Sequence, residues 1–559
     1  MVYPGLESTW NDVLNGTPGK IVTSTNIAGQ EIPDDKKQYI AAQNGSDIVL
    51  TIDYNLQALA EEKLKQAVIE NGCLGGGNVI MMDPETGDIK AMATYPDFDL
   101  NNAYVPNSSI SEGWEELSAD ERMNKLYEMW RNKATSSTYE PGSTFKLITS
   151  AIALEENIVG PDDPDEFYCN SYYIVDGQRI NCWRNYYPLH NSQSLRQALG
   201  NSCNPAFMQL GARIGVARFY KYMRAFGLFN TTGARLYGEE NSIMHEEQSV
   251  NNIELATLSF GQRFNITPLQ LITAVSAIVN DGVLMKPRIV KQIINSDTSA
   301  ITNIEPEEVR QVISKETSET MRSMMRYVVT DGTGKYVKID GYSIGGKSGT
   351  TEPLDSRKKQ DGYTASFIAV APTSDVKLVT LVILYHPTAG KYQGGETAGP
   401  VAKQILQAAL PLLGITSDSD ASSEKDDGSL IMLTDVRNKT VSEAEKLLKN
   451  AGFQVQTSIL ENKTTTLVSD QVPKPGVKLS KNSLICLYTE DNNVHLSVSV
   501  PNLKGMSAEQ ATNSLHSRKL NISLQGSGKV VSQDRTVDEQ VEEGSIITVT
   551  LEPEISGAY

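Results

Sequence analysis

The chain has 559 residues, with 68 acidic against 50 basic side chains and a formal charge of -18. Hydrophobic residues make up 39% and charged residues 21%, an ordinary globular mixture, and the length allows about three to five domains. This composition excludes a fibrous or wholly disordered chain. Its acidity argues against general nucleic-acid binding, because a negative surface repels phosphodiester backbones.

No run of about 18 apolar residues is present to form a bilayer-spanning helix. The opening MVYPGLESTW has neither a basic nor an apolar signal-peptide region. The protein is therefore cytosolic, or an anchor lies outside this sequence. Five cysteines in 559 residues do not make a disulfide scaffold.

In chain order, Asp53 to Gly72 places Leu56, Leu59, Ala60, Leu64, Ala67 and Val68 on one helical face that stops at glycine. Asn78 to Tyr95 reads as two strands around Asp83-Pro84-Glu85-Thr86-Gly87, a hairpin signal. Next comes Glu140-Pro141-Gly142-Ser143-Thr144-Phe145-Lys146. Pro-Gly breaks the chain, and a helix is expected to start near Ser143. A serine there sits at the positive end of the dipole, where a developing oxyanion is stabilised. Lys146 at i+3 shares its face. Desolvation or a second cation would lower the amine's pKa enough for it to accept the serine proton. Alone, Ser-x-x-Lys is also the pattern of an N-cap serine with a surface lysine.

Cys169, Cys182, His190 and Cys203 follow with spacing Cys-x12-Cys-x7-His-x12-Cys. Three thiols and an imidazole are the ligand set of a structural Cys3His zinc site, although the tight Cys-x2–4-Cys knuckle is missing. Three readings compete here: zinc, a Cys169–Cys182 disulfide suited to an extracellular compartment, and free buried thiols.

Asn201-Ser202-Cys203-Asn204-Pro205 is a turn-like cluster before a helix over Ala206 to Ala212. If the turn is extended, Ser202 and Asn204 point one way into a cleft and the Cys203 thiol points the other way. Helix capping is the plain alternative.

Gly345-Gly346-Lys347-Ser348-Gly349-Thr350 puts glycines around a cation and two hydroxyls, a pattern that lets an edge strand approach a carboxylate. A Walker A loop does not fit, because turn formers and Pro353 follow where a helix should open. Tyr363 to Tyr385 then gives two more strands. Hairpins at both ends with helices between them imply an antiparallel sheet in an α+β or three-layer domain.

The stretch Thr416 to Gly428 is Ser- and Asp-rich and reads as a solvated linker. The rest is an internal repeat. Thr434 to Phe453 matches Pro501 to Leu520, with Ala444 on Ala511 and Leu448 on Leu515; further on, Gln471 matches Gln533. Each copy is a short strand, an amphipathic helix, then two or three alternating strands. With VSDQVPKPG at Val468 to Gly476, the repeat resembles the PASTA module, found outside bacterial cells. The second copy lacks the proline after Gln533.

The order Ser-x-x-Lys, Ser-x-Asn, Lys-Ser-Gly is that of serine acyltransferases acting on D-Ala-D-Ala peptides and β-lactams. Together with YEPGSTFK, NSCNPAF, GQRFNITPLQLITAVSAIVNDG and TASFIAVAP, the chain resembles a class B penicillin-binding protein from about Asn44 to Leu413. The resemblance implies an α+β multidomain chain. A penicillin-binding serine transpeptidase fold, an antiparallel sheet sandwiched by helices plus an all-helical subdomain, is followed by two small β-α-β-β PASTA modules. Expected boundaries are a pedestal remnant over 1–44, the transpeptidase domain over 45–415, a linker over 416–428 and modules over 429–490 and 495–553.

The resemblance also assigns roles. Ser143 is the acyl acceptor and Lys146 its base. Ser202 relays a proton to the leaving D-alanine, and Asn204 bonds the substrate amide. Lys347 sets the potential of the cleft. Ser348 and Thr350 bind the terminal carboxylate, Gly349 is counted with them as substrate-binding, and the backbone N–H groups of Ser143 and Thr350 form the oxyanion hole. No cofactor is required for this chemistry; a structural Zn2+ remains one reading of the cysteines. Implied partners are peptidoglycan stem peptides, β-lactams, a glycosyltransferase, and divisome, elongasome or sporulation proteins, with no nucleic acid and with homodimerisation through a region upstream. The implied location is the outer face of the cytoplasmic membrane, with a single-pass anchor upstream. The same motifs serve carboxypeptidases and β-lactamases; a fast β-lactamase needs a positioned deacylating base, which the sequence does not place, Glu352 merely following the third motif, and a wall-binding adaptor with an inactive domain is the non-enzyme alternative.

Overall fold

The structure is a computed structural model that describes residues 5–23, 27, 38–184, 186–351, 362–415, 431–457, 463–479, 483–490, 496–526 and 528–552. The expected linker and Glu352 lie outside these residues. The chain folds as two units, 1–415 and 416–559.

The first unit is built on five strands: β1 (Gly77–Met82), β2 (Ile89–Tyr95), β3 (Gly345–Thr351), β4 (Thr364–Ala371) and β5 (Leu378–Tyr385). They pair antiparallel in the order β3-β4-β5-β1-β2, so both ends of the segment meet at the β5–β1 ladder, where Leu381 pairs with Ile80. This is the sheet expected from the two hairpins. Among the described residues β3 is an edge strand with β4 as its only neighbour in the sheet.

Alternation along the strands decides what each face packs against. On β5, Leu378, Val382 and Leu384 join one core, whereas Val379, Leu381 and Ile383 join the other. The first core contains helices α1 (Tyr54–Glu70) and α6 (Ala398–Leu412), through Leu56, Ala60, Leu64, Ile405 and Ala409. Asp53 caps α1 by accepting from the N–H groups of Asn55 and Leu56.

The second core is larger and contains α2 (Lys146–Glu155), α3 (Asn204–Ile214), α4 (Pro268–Val279) and α5 (Lys315–Thr330). Every residue of α4 is buried. Thr267 and Gln270 close a capping box at its start, and Pro268 occupies the first turn, where a missing N–H costs nothing. Each fully buried Leu, Ile or Val of α4 contributes about 1.5–3 kcal/mol of apolar transfer, which fixes the floor beneath the site.

The second unit holds the two repeats, each with a helix against a three-stranded sheet. In the first, Gln471 Oε1 accepts from Val436 N and its Nε2 donates to Thr434 O. In the second, Gln533 Oε1 accepts from Leu503 N and its Nε2 donates to Pro501 O. The residues matched in sequence therefore make the same bonds, including in the copy without the proline. The modules also touch. Asn521, fully buried, accepts from Leu484 N at 2.8 Å and donates to Leu484 O at 2.9 Å. Beside it, Glu543 binds Gln456 of the first module and Lys519 of its own.

Candidate active site

Ser143 lies in a 3-10 turn, Gly142–Phe145, and the α-helix begins only at Lys146. This refines the expectation of a helix starting at Ser143. The tighter turn keeps Ser143 half-exposed while Thr144, Phe145 and Lys146 are buried. Gly142 has φ +55°, and a Cβ there would meet Thr351 Cγ2 at 2.6 Å. Gly349 on β3 faces the same turn, where a Cβ would meet Ser366 Oγ at 2.4 Å and Thr144 Cγ2 at 3.0 Å. Gly349 thus lets the strand and the Ser143 turn close together.

Lys146 is fully buried between the rings of Phe207 and Phe260, 5.3 and 6.0 Å from their centroids. Its Nζ donates to Ser202 O at 2.8 Å, Asn204 Oδ1 at 2.7 Å and Ser202 Oγ at 3.3 Å. Burial lowers its pKa to about 8, against a smaller opposing pull from Cys203 and Cys182.

Lys347 projects from β3 into the same space, also fully buried. It donates to Ser202 Oγ at 2.9 Å and Ser348 O at 2.9 Å. Burial, and then the charge of Lys146, hold it well below the usual lysine range. Two amines therefore converge on one hydroxyl, and like charges in a dry site disfavour having both protonated.

Ser202 is not in an extended turn. It has φ +52°, the left-handed region, with Cys203 as the helix N-cap and Asn204 as the first residue of α3. The helix runs to Ile214, starting earlier and ending later than the sequence suggested. Ser202 and Asn204 still reach the cleft together, as expected. Left-handed geometry in a non-glycine residue costs roughly 1–2 kcal/mol. Three successive carbonyls hold the turn: Gly200 O accepts from Thr333 N, Asn201 O from Trp183 Nε1, and Ser202 O from Lys146.

Thr333 was missed by sequence reasoning. Its hydroxyl lies 3.2 Å from Ser348 Oγ, adding a third hydroxyl to the wall where a carboxylate was expected. Thr350, half-exposed, accepts from Gly394 N at 3.0 Å and keeps its own O–H to donate.

Behind this wall stand Cys169, Cys182, His190 and Cys203, with ligand atoms all within 4.8 Å of one another. His190 Nδ1 is 3.6 Å from Cys182 Sγ and 3.9 Å from Cys169 Sγ. A tetrahedral zinc with bonds of about 2.3 Å to sulfur and about 2.0 Å to nitrogen sets its ligands at such separations. Hydrogen bonds from Cys169 and Cys203, then from His190 and the Arg184 backbone N–H, hold the Cys182 thiol well below its ordinary range. The other two thiols move the opposite way: the hydrogen bond to Cys182 first, then burial, pushes Cys169 up to about 11, and burial pushes Cys203 up. A pocket that stabilises a thiolate is suited to a soft dication. All five cysteines are unpaired, so the Cys169–Cys182 disulfide is not formed.

Known proteins share this organisation. The family model described as penicillin binding protein transpeptidase domain matches residues 77–407, and the PASTA domain model matches 431–491 and 498–553. Stage V sporulation protein D of Bacillus subtilis is 34% identical over 87% of this chain and 72% of its own length. Peptidoglycan D,D-transpeptidase FtsI of Buchnera aphidicola is 29% identical over 74% of this chain and 67% of its own. A crystal structure of penicillin binding protein 3 from Mycobacterium tuberculosis complexed with ampicillin is similar at a TM-score of 0.58 and 26% identity, covering 67% of this chain and 80% of that one.

Proposed function

The chain belongs to the penicillin-binding protein transpeptidase family and is a penicillin-binding D,D-transpeptidase, and on that premise we propose that it works through an acyl-enzyme on Ser143. The Ser143 hydroxyl attacks the carbonyl of the penultimate D-alanine while Lys146, as the neutral amine, takes its proton. The tetrahedral oxyanion faces the backbone N–H groups of Ser143 and Thr350. On collapse the peptide C–N bond breaks, and Ser202 passes a proton to the departing D-alanine. Ser348, Thr350 and Thr333 hold the terminal carboxylate, and Asn204 the substrate amide. A stem-peptide amine then attacks the ester, forms the cross-link and returns the proton to Ser143 Oγ through Lys146.

With a β-lactam the same attack opens the ring. The leaving amine stays tethered, which blocks the second nucleophile. The ampicillin complex of the mycobacterial relative supports this reading. Water in place of the amine would make the protein a carboxypeptidase or β-lactamase.

The observation that carries the proposal is the convergence of Lys146 and Lys347, both fully buried, on the Ser202 hydroxyl. Mass spectrometry after penicillin treatment tests it. The adduct is expected on the peptide containing Ser143, and Ser143→Ala removes it. Stoichiometric labelling of that variant sinks the assignment.

Cys169, Cys182, His190 and Cys203 would hold one structural zinc, which would brace the Ser202 turn and take no part in the chemistry. Stem peptides lie outside the cytoplasmic membrane, so the domain works there. Among the described residues no helix is long and apolar enough to cross a membrane, and an anchor, a homodimer contact and glycosyltransferase or division-type partners would belong to other parts of the assembly.

A further inference from the structure

The turn that carries Ser202 depends on its surroundings for its shape. The helix Leu195–Gly200 ends at its C-cap, Asn201, and the chain then reverses. Cys203 N donates to Ala198 O at 2.9 Å and Ser202 N to Leu199 O at 3.1 Å, the two closing bonds of a Schellman motif. Ser202, at φ +52°, occupies the position where that motif favours glycine. A glycine has no hydroxyl to offer Lys146 and Lys347, so the serine must be kept left-handed from outside.

Two of its ties converge on Asn201, the residue before it. Trp183 Nε1 donates to the Asn201 carbonyl at 3.0 Å. Asn201 Nδ2 donates to Gln193 Oε1 at 2.8 Å. Gln193 is only 2% exposed, and its own Nε2 is buried with no hydrogen-bond partner among the described residues. An amide buried with its donor unmet is unfavourable, and a methionine would fill similar space without that cost. What the amide supplies and a methionine cannot is the acceptor for Asn201. The backbone of Gln193 is fixed as well. It pairs with Phe167 in a two-stranded ladder and directly precedes Ser194, the N-cap of the helix that ends at Asn201. The Gln193–Asn201 bond therefore ties together the two ends of one short helix. We propose that Trp183 and Gln193 are positioning residues: gripping Asn201 by its carbonyl and its side chain, they hold Ser202 left-handed with its hydroxyl between the two buried amines. The inference rests on the acyl-enzyme reading and adds what aims its proton relay. Neither residue is one of the four candidate metal ligands, so the grip is a device separate from that cluster.

The full chain is mixed with fluorescent penicillin, and the labelling rate is followed against penicillin concentration. This separates the first-order acylation step from the binding that precedes it. Gln193→Met and Trp183→Phe each remove one of the two bonds and keep an apolar side chain in place. Each is expected to slow the first-order step by about tenfold to a hundredfold, as a misaimed group does, and to change the preceding dissociation constant by about twofold or less. In a Ser202→Ala background, which has no hydroxyl to aim, the same two substitutions are expected to add about twofold or less. A loss of folded protein lowers the fraction that labels and not the rate constant of the molecules that do, so it does not mimic this result. An unchanged rate constant in both variants, or an equal loss with and without the Ser202 hydroxyl, overturns the proposal. Failure of the unaltered chain to label at Ser143 would instead sink the underlying reading.

Discussion

Ser202 and Cys203 are adjacent in the chain and belong to two sites of opposite character. The groove on the Ser202 side gathers three distant segments and stays open at Ser143, Asn204 and Thr350. The cluster on the Cys203 side is closed, with its three thiols buried and its imidazole half-buried. The groove has two amines pressed out of water, and among the described residues no carboxylate is bonded to either. The cluster has a thiolate stabilised by neighbouring N–H and S–H groups. A reactive face must hold groups in costly protonation states, which requires a stiff backing. Here that backing is one residue away.

Breaking the groove and breaking the backing should therefore give different phenotypes. The largest effect is expected for Lys146→Ala, which should slow penicillin acylation about 10²–10⁴-fold with little change in melting temperature. An equal loss of both would make Lys146 a structural residue.

Cys203→Ser should do the reverse. Metal analysis of the unaltered chain should find one zinc per chain, and the variant none. Its melting temperature should fall by several degrees, since about 1 kcal/mol moves a domain of 150–250 residues by about 2–4 °C. Five titratable thiols without metal would leave the cluster as simple packing, and three thiols would restore the disulfide.

The pH profile sharpens the contrast further. Lys146 must be neutral to act as a base and has a pKa of about 8. Acylation should rise with pH through that value and fall about tenfold per unit below it. A flat profile from pH 6 to 9 would remove Lys146 as the base. The smallest effect is expected at Thr333→Val, which removes one hydroxyl from the carboxylate wall. It should weaken acylation by about tenfold or less, as one hydrogen bond to a charged group allows, and leave zinc content intact.

Much of the groove was legible because its motifs are short and each is contiguous. Pro141-Gly142 and the Lys347 strand each announce a local conformation, and Ser202-x-Asn204 announces two side chains that share one cleft. That strands from both ends of the segment share one antiparallel sheet followed from the two hairpins. What escaped depends on tertiary register. Thr333 is a hydroxyl between two glycines, a pattern no different from many turns, until Gly200 O captures its N–H. Trp183 reads as one aromatic in a rich stretch, and its bond to Asn201 O has no sequence signature. The left-handed Ser202 was hidden because serine has no preference for that conformation. The cysteines were visible as a set, but long spacings leave pairing and coordination undecided until the fold brings the four side chains together.

The Asn521 side chain gives Leu484 both an acceptor and a donor, as a neighbouring strand would. Its mechanical consequence is that the two repeats cannot pivot independently. Any extended ligand that touched the first would find the second already presented beside it, so the tail would behave as a ruler and not as two beads on a string. Two weak contacts at matched distance then act together at a high effective concentration. Asn521→Ala would turn that ruler into a hinge.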